Sequence, residues 1–149
     1  MRQGPRPRIA REFPHTQLDQ WGDPLIAEQL RLRIATIPNV SLRVSRIASP
    51  SVQALWMHDE FAGGPPVAFA DDHEFCYLHP CPPGSLHMTL PPSIHDAGVQ
   101  LGWFERHPGI VSGALPETFV MVYAPRDASE LEVAFQLVLQ SAHFARGNR

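Results

Sequence analysis

The sequence predicts a single α+β domain in which a mainly antiparallel sheet of about five strands packs against two or three helices. Three observations carry this expectation. Short runs with apolar residues at every second position crowd between residues 40 and 90, too closely spaced for helical crossovers between parallel strands. Segments with helical apolar spacing stand before and after this strand-rich region. The 149 residues are the length of one domain, and the order α, several β, α, β, α, without internal repeat, is not that of βαβ units.

The elements follow in order. In "GDPLIAEQLRLRIATIP", Asp23 is placed as N-cap and Pro24 at the first helical position. Ile26, Leu30 and Ile34 form the apolar stripe, and Pro38 ends the helix. "VSLRVSRIA" and "SVQALWMH" alternate as two strands joined by a turn at Ser49, Pro50 and Ser51. A loop rich in Gly, Pro and acid follows, with a short edge strand expected at 67–70. Strands over about 74–79 and 85–90 flank the turn Pro80 to Gly84. Ser93 with Asp96 reads as a capping-box-like start of a second helix that closes at Gly102, with Gly98 as an unfavourable residue inside it. "WFERHPGIVSGALPE" has no clean period and is expected as a loop. "TFVMVYA" is apolar on both faces, as a central strand would be. Asp127 and Glu130 cap a long last helix with Leu131, Ala134, Phe135, Val138 and Ala142 as its stripe, ending near Gly147. Residues 17–147 are therefore expected to form the domain and 1–16 a flexible arm.

Composition excludes several classes. With 44% hydrophobic and 18% charged residues and no run of like charge, a compact core is expected rather than disorder. The net charge is −3 and the twelve positive residues are arginines scattered along the chain, which argues against nucleic acid as a partner. Arg2, Arg6, Arg8 and Arg11 read as a solvated basic tail. No apolar run approaches the roughly 20 residues of a membrane span, and the first residues lack a signal-peptide core, so a cytoplasmic, membrane-free protein is expected. In a reducing compartment Cys76 and Cys81 would be free thiols, with a local disulfide or redox pair as the alternatives.

The chemistry concentrates in "EFCYLHPCPPGSLHMTL". Side chains alternate across strands, so Phe75, Tyr77 and His79 share one face, and Cys76 and Leu78 take the other. Pairing across the turn sets His79 against Ser85 and Tyr77 against His87, which clusters Tyr77, His79 and His87. Three readings remain open: half-buried hydrogen-bonded histidines, a metal-free acid/base or binding role, and a divalent metal on His79 and His87 with a third ligand from His107, Glu74 or His73. "GWFERHP" adds Trp103, as core anchor or stacking wall, and Arg106 beside His107, a combination suited to an anionic or enolic ligand. "VYAPRD" places Tyr123 at a strand end and Arg126 before the last helix.

In order and spacing, "LHPCPPGSLHMTL", "GWFERHP" and "FVMVYAPRDASELEV" resemble the fungal luciferases and the bacterial and fungal luciferase-domain proteins. The resemblance is strong from 74 to 145 and weak from about residue 17. It implies an enzyme that adds O2 to a hydroxylated pyrone without a flavin or other cofactor. His79, His87 and His107 would be catalytic, and Tyr77, Trp103, Arg106, Tyr123 and Arg126 would bind substrate. A divalent metal on His79, His87 and His107, or a non-catalytic binding module, are the alternatives. Tyr77 stands where the fungal enzymes have a histidine, and Pro80 and Pro82 replace an Asp and a further His. Those enzymes also carry an N-terminal membrane segment, and no comparable apolar run stands in this sequence. A small-molecule substrate is the implied partner; the oligomeric state has no signature in the sequence.

Overall fold

The computed structural model describes residues 1–12, 14–49, 51–110 and 113–147. Helix α1 (Pro24–Ile34) starts where expected, because the Asp23 carboxylate accepts hydrogen bonds from the backbone N–H groups of Leu25 and Ile26 at 2.8 and 3.2 Å. Its buried Leu30 and Ile34 pack toward α3 (Ala128–Arg146), which Asp127 caps through the Glu130 N–H. All five apolar residues predicted for the stripe of α3 are buried.

Six strands, β1 (Val40–Val44), β2 (Gln53–Met57), β3 (Glu74–Leu78), β4 (Leu86–Thr89), β5 (Phe104–Arg106) and β6 (Phe119–Val122), form one antiparallel sheet in the order β1-β2-β3-β4-β6-β5. The sixth strand is the difference from about five: residues 104–106, expected as loop, pair with β6 and bury Phe104. The strand predicted as central, β6, lies between β4 and β5 and is buried on both faces. Helix α3 packs against β2, β3 and β4, on the face that carries Leu55, Met57, Leu86, Met88 and Val122.

Other differences have local causes. The edge strand expected at 67–70 is a 3₁₀ turn at Pro66–Ala68, which Pro66 starts at its first position. A 3₁₀ turn at Pro92–Ile94 takes up Ser93, so α2 (His95–Gln100) begins later and has no side-chain cap. The strands expected to reach Ala48 and begin at Ser51 are shorter, and Pro50 of their predicted turn lies outside the described residues. Phe75 does not share a face with Tyr77. Leu55 pairs with Cys76 but Trp56 with Glu74, a β-bulge that puts both Phe75 and Cys76 into the helix-side core.

The opposite face of the sheet, with Ala54, Trp56, Tyr77, His87 and Phe119, has loops over it rather than helices. The described residues of the segment 1–16, expected as a flexible arm, are folded onto the domain. Ile9 bridges Gln17, and the Gln17 side chain accepts from the Ala124 N–H at 2.9 Å while donating to Asp19 and Gln20 carbonyls. Arg2, read as part of a solvated tail, is 5% exposed. The fold thereby carries His15 onto the histidine face.

Candidate functional site

The predicted pairing of the hairpin holds: Tyr77 faces His87, and the His79 N–H donates to the Ser85 carbonyl at 3.0 Å. His87 is fully buried, its ring stacked on Tyr77 at 4.7 Å with an interplanar angle of 18° and flanked by Phe119 on a neighbouring strand. His79 meets His87 edge-on at 5.0 Å, and His107, just past β5, lies 5.1 Å from His87. His15 completes the cluster, 4.5 Å from the His107 ring and 5.4 Å from that of His87. Four imidazoles thus converge, three from the predicted set and one that sequence reasoning missed. "FPHTQ" carried no signal of its own, because only tertiary folding brings residue 15 to residue 87.

Two cavities meet at this cluster. An apolar one of about 790 Å³ is lined by Tyr77, His79, His107 and His15 together with Val52, Leu115 and the prolines of the β3–β4 turn. Its size is within the range of small-molecule pockets. A groove of about 810 Å³ on the other side is lined by Arg6, Arg8, Arg11, Arg106, Glu105 and Tyr123, again with His15. Arg106 and Tyr123 therefore face the groove rather than the apolar cavity. Arg106 is exposed and 3.6 Å from Asp96. Trp103 and Arg126 are among the described lining residues of neither. Trp103 is half-buried, with its carbonyl bonded to the Tyr123 N–H.

Arg126 is occupied by Glu130, to which it donates from both Nε and Nη2, and by Gln20 and the Gln3 carbonyl. Arg126→Ala is accordingly expected to lower stability by about 1–3 kcal/mol, because a largely buried carboxylate loses its partner. Ligand affinity should not change. Thermal melts beside ligand titrations check this, and a variant that melts normally but binds weakly would return Arg126 to the site. The further metal ligands considered for the hairpin are likewise engaged elsewhere. Glu74 accepts from Ser45 Oγ and the Arg46 N–H, both at 2.7 Å, and His73 pairs with Asp59 at 2.8 Å.

The electrostatics favour neutral imidazoles. Burial, and after it the neighbouring imidazoles, lowers the pKa of His79 and lowers that of His87 well below its ordinary value. His107 falls to about 4, again chiefly through burial, with His15 adding to the shift and Glu105 opposing it. Burial also raises the Tyr77 phenol, so it stays protonated.

Hydrogen bonds assign the protons. The Gly109 N–H donates to His107 Nδ1 at 2.9 Å, which leaves the hydrogen of that ring on Nε2. His15 Nε2 lies 3.5 Å from Glu105 Oε2, and Glu105 Oε1 accepts from the Tyr123 hydroxyl at 2.9 Å. A carboxylate opposite Nε2 favours hydrogen there, and His15 Nδ1 is then the acceptor facing His87 Nε2 at 3.4 Å. Among the described residues His15 Nε2, His79 Nε2 and His87 Nδ1 are buried without a hydrogen-bond partner, the first facing Glu105 as a charge contact only.

Among the described residues, one nitrogen each of His15, His87 and His107 lies within 4.8 Å of the others. A tetrahedral ion needs such nitrogens about 3.3 Å apart, from bonds of about 2.0–2.1 Å. The group differs from the predicted set in holding His15 and not His79. The donor chemistry fits at two positions and fails at His107. A ligating Nε2 needs its hydrogen on Nδ1, where the Gly109 N–H already points.

Residues 72–141 match the family model described as Luciferase domain. Curated relatives include the luciferases of Armillaria gallica, 27% identical, and of Armillaria ostoyae and Armillaria mellea, each 26% identical. Each alignment covers 92% of this chain and 57% of the relative, so the chain spans little more than half the length of these proteins. No solved structure matches the chain significantly. Among the described residues no helix is long and apolar enough to cross a membrane.

Proposed function

We propose that this chain, which carries a luciferase domain over residues 72–141, binds a planar enolic or acidic aromatic of the hydroxypyrone type and promotes its reaction with O2. The observation that carries the reading is the convergence of His15, His79 and His107 on one apolar cavity large enough for such a ligand. An imidazole whose pKa is lowered is a weak base. It matches an acidic enol, since proton transfer is most efficient between groups of similar pKa. His79 is the natural first acceptor, because its buried Nε2 lacks a partner while its ring lines the cavity. The Tyr77 ring offers a flat wall to the ligand, and the Nε2–H of His107 can donate to the enolate oxygen. Removal of the enol proton would leave an electron-rich carbon to react with O2 in a largely apolar pocket.

Purified protein titrated with 6-aryl-4-hydroxy-2-pyrones, with fluorescence for binding and an oxygen electrode for turnover, tests this. His79→Ala and His107→Ala are each expected to weaken binding about tenfold, the loss of one good hydrogen bond to a charged group. Binding without oxygen uptake would reduce the reading to a non-catalytic module of the same cavity. Wild-type affinity in both variants would remove the cavity from consideration.

A further inference from the structure

We propose that Glu105 and His15 form the exit by which a proton accepted in the buried histidine cluster leaves for the arginine-lined groove. The inference deepens the reading of the cavity as a place where a ligand gives up a proton, and it assigns roles to two residues outside the predicted set. Among the described residues His15 is the side chain that lines both spaces, 4% exposed, and it stands between the fully buried His87 and Glu105. Glu105 is one-third exposed, in a groove bordered by Arg6, Arg8, Arg11 and Arg106. Its other oxygen is held by Tyr123, which fixes Oε2 toward His15.

From His87 outward to the groove, ring nitrogens and carboxylate face one another in series. His87 Nε2 and His15 Nδ1 are 3.4 Å apart, and His15 Nε2 and Glu105 Oε2 are 3.5 Å apart. Both gaps are long for resting hydrogen bonds and short enough to tighten when charge arrives. A proton reaching the unpartnered Nδ1 of His87 makes that ring cationic. Its Nε2 hydrogen then passes to His15 Nδ1, and the Nε2 hydrogen of His15 passes to Glu105 Oε2. One proton has entered at His87 and one has reached the carboxylate, and both rings are neutral again with their hydrogens on Nδ1. Water in the groove takes the proton from Glu105. The surroundings favour this direction. The groups facing His15 are His87, His107 and Glu105, with His79 beyond, so the carboxylate is the one of them that gains by accepting a positive charge.

A structural ion pair would hold the same geometry, so the test reads proton movement rather than stability. In the ¹⁵N-labelled full chain without ligand, two-bond ¹H–¹⁵N spectra report the tautomers of His15 and His87, and saturation transfer from water reports exchange of their ring N–H groups. In the wild type His15 should be protonated at Nε2. In Glu105→Gln, which keeps an oxygen for Tyr123 but has no proton-accepting carboxylate, ring N–H exchange should slow at least tenfold and the His15 tautomer should become mixed. Glu105→Asp should restore most of the exchange. Unchanged exchange and tautomer in a folded Glu105→Gln variant overturn the proposal. Should that variant not fold, Tyr123→Phe, which frees the carboxylate, must slow exchange severalfold, and its failure to do so overturns the proposal equally. These readings need no ligand, so the hydroxypyrone experiment stands or falls separately.

Discussion

Gly98→Ala should unfold several degrees below the wild type, although alanine is the better helix former. Within α2 the exchange gains about 1 kcal/mol of helix propensity. A Cβ at this position, however, would lie 2.1, 2.2 and 2.4 Å from Cζ, Cε2 and Cε1 of Phe104. Carbon atoms pack at about 3.5–4.0 Å, so more than 1 Å of movement is needed. The ring is fully buried and edge-on to His95, and it cannot swing into solvent. Overpacking of this kind costs about 1–3 kcal/mol where side chains can adjust and more where they cannot. The steric cost therefore exceeds the propensity gain, and the melting temperature should fall by roughly 5 °C in a domain of this size. The control is Phe104→Leu. In that background the same glycine substitution should be nearly neutral, because the atoms it strikes are gone. An equal loss in both backgrounds would show that the contact is not the cause. Position 98 also bears on the site, since Phe104 anchors the edge strand β5 that delivers Glu105 and leads into His107.

The second large effect is acid destabilisation between pH 6.5 and about 4. His79, His87 and His107 have folded pKa values below the ordinary 6.5, and His107 sits at about 4. A group depressed in this way binds fewer protons folded than unfolded within that window. Stability therefore falls as pH falls through 6.5, and the loss levels off below the folded pKa. For His107 alone the full shift corresponds to about 3 kcal/mol at the acid end. That is a large fraction of the 5–15 kcal/mol typical of a domain. Urea denaturation at pH 7.5, 6.0, 5.0 and 4.5 reads the effect directly. His107→Gln and His87→Phe should each flatten the profile in this window, whatever they do to stability at pH 7.5. Carboxylates contribute with both signs. Burial raises Glu74. For Glu130 the hydrogen bonds and charge of Arg126 outweigh burial and lower it. Replacement of an imidazole should leave those contributions in place. A profile equally steep in both histidine variants would mean that the cluster is not what titrates.

Much of the arrangement was legible in the chain itself. Asp23-Pro24 and Asp127 start α1 and α3 because a side-chain oxygen one residue before the helix satisfies its free N–H groups. Strand alternation and the length of the Pro80–Gly84 turn were enough to pair Tyr77 with His87 and to bring His79 beside them. Alternation fails where a bulge inserts a residue, which is why Phe75 was assigned to the wrong face. The run from Trp103 has no period because β5 is three residues long, and so short a strand forms only against the ready edge of β6.

Local patterns in the sequence determined the antiparallel α+β architecture, the capped helices and the hairpin with its two histidines. Each of those depends on residues a few positions apart. Tertiary structure alone decided that His15 and Glu105 complete the cluster, that Arg126 is tied to Gln20 and the Gln3 carbonyl, and that Arg106 and Tyr123 face a different space from His79. These contacts join segments dozens of residues apart. Their partners are chosen by which loops cover the open face of the sheet, and no periodicity in a single chain encodes that choice.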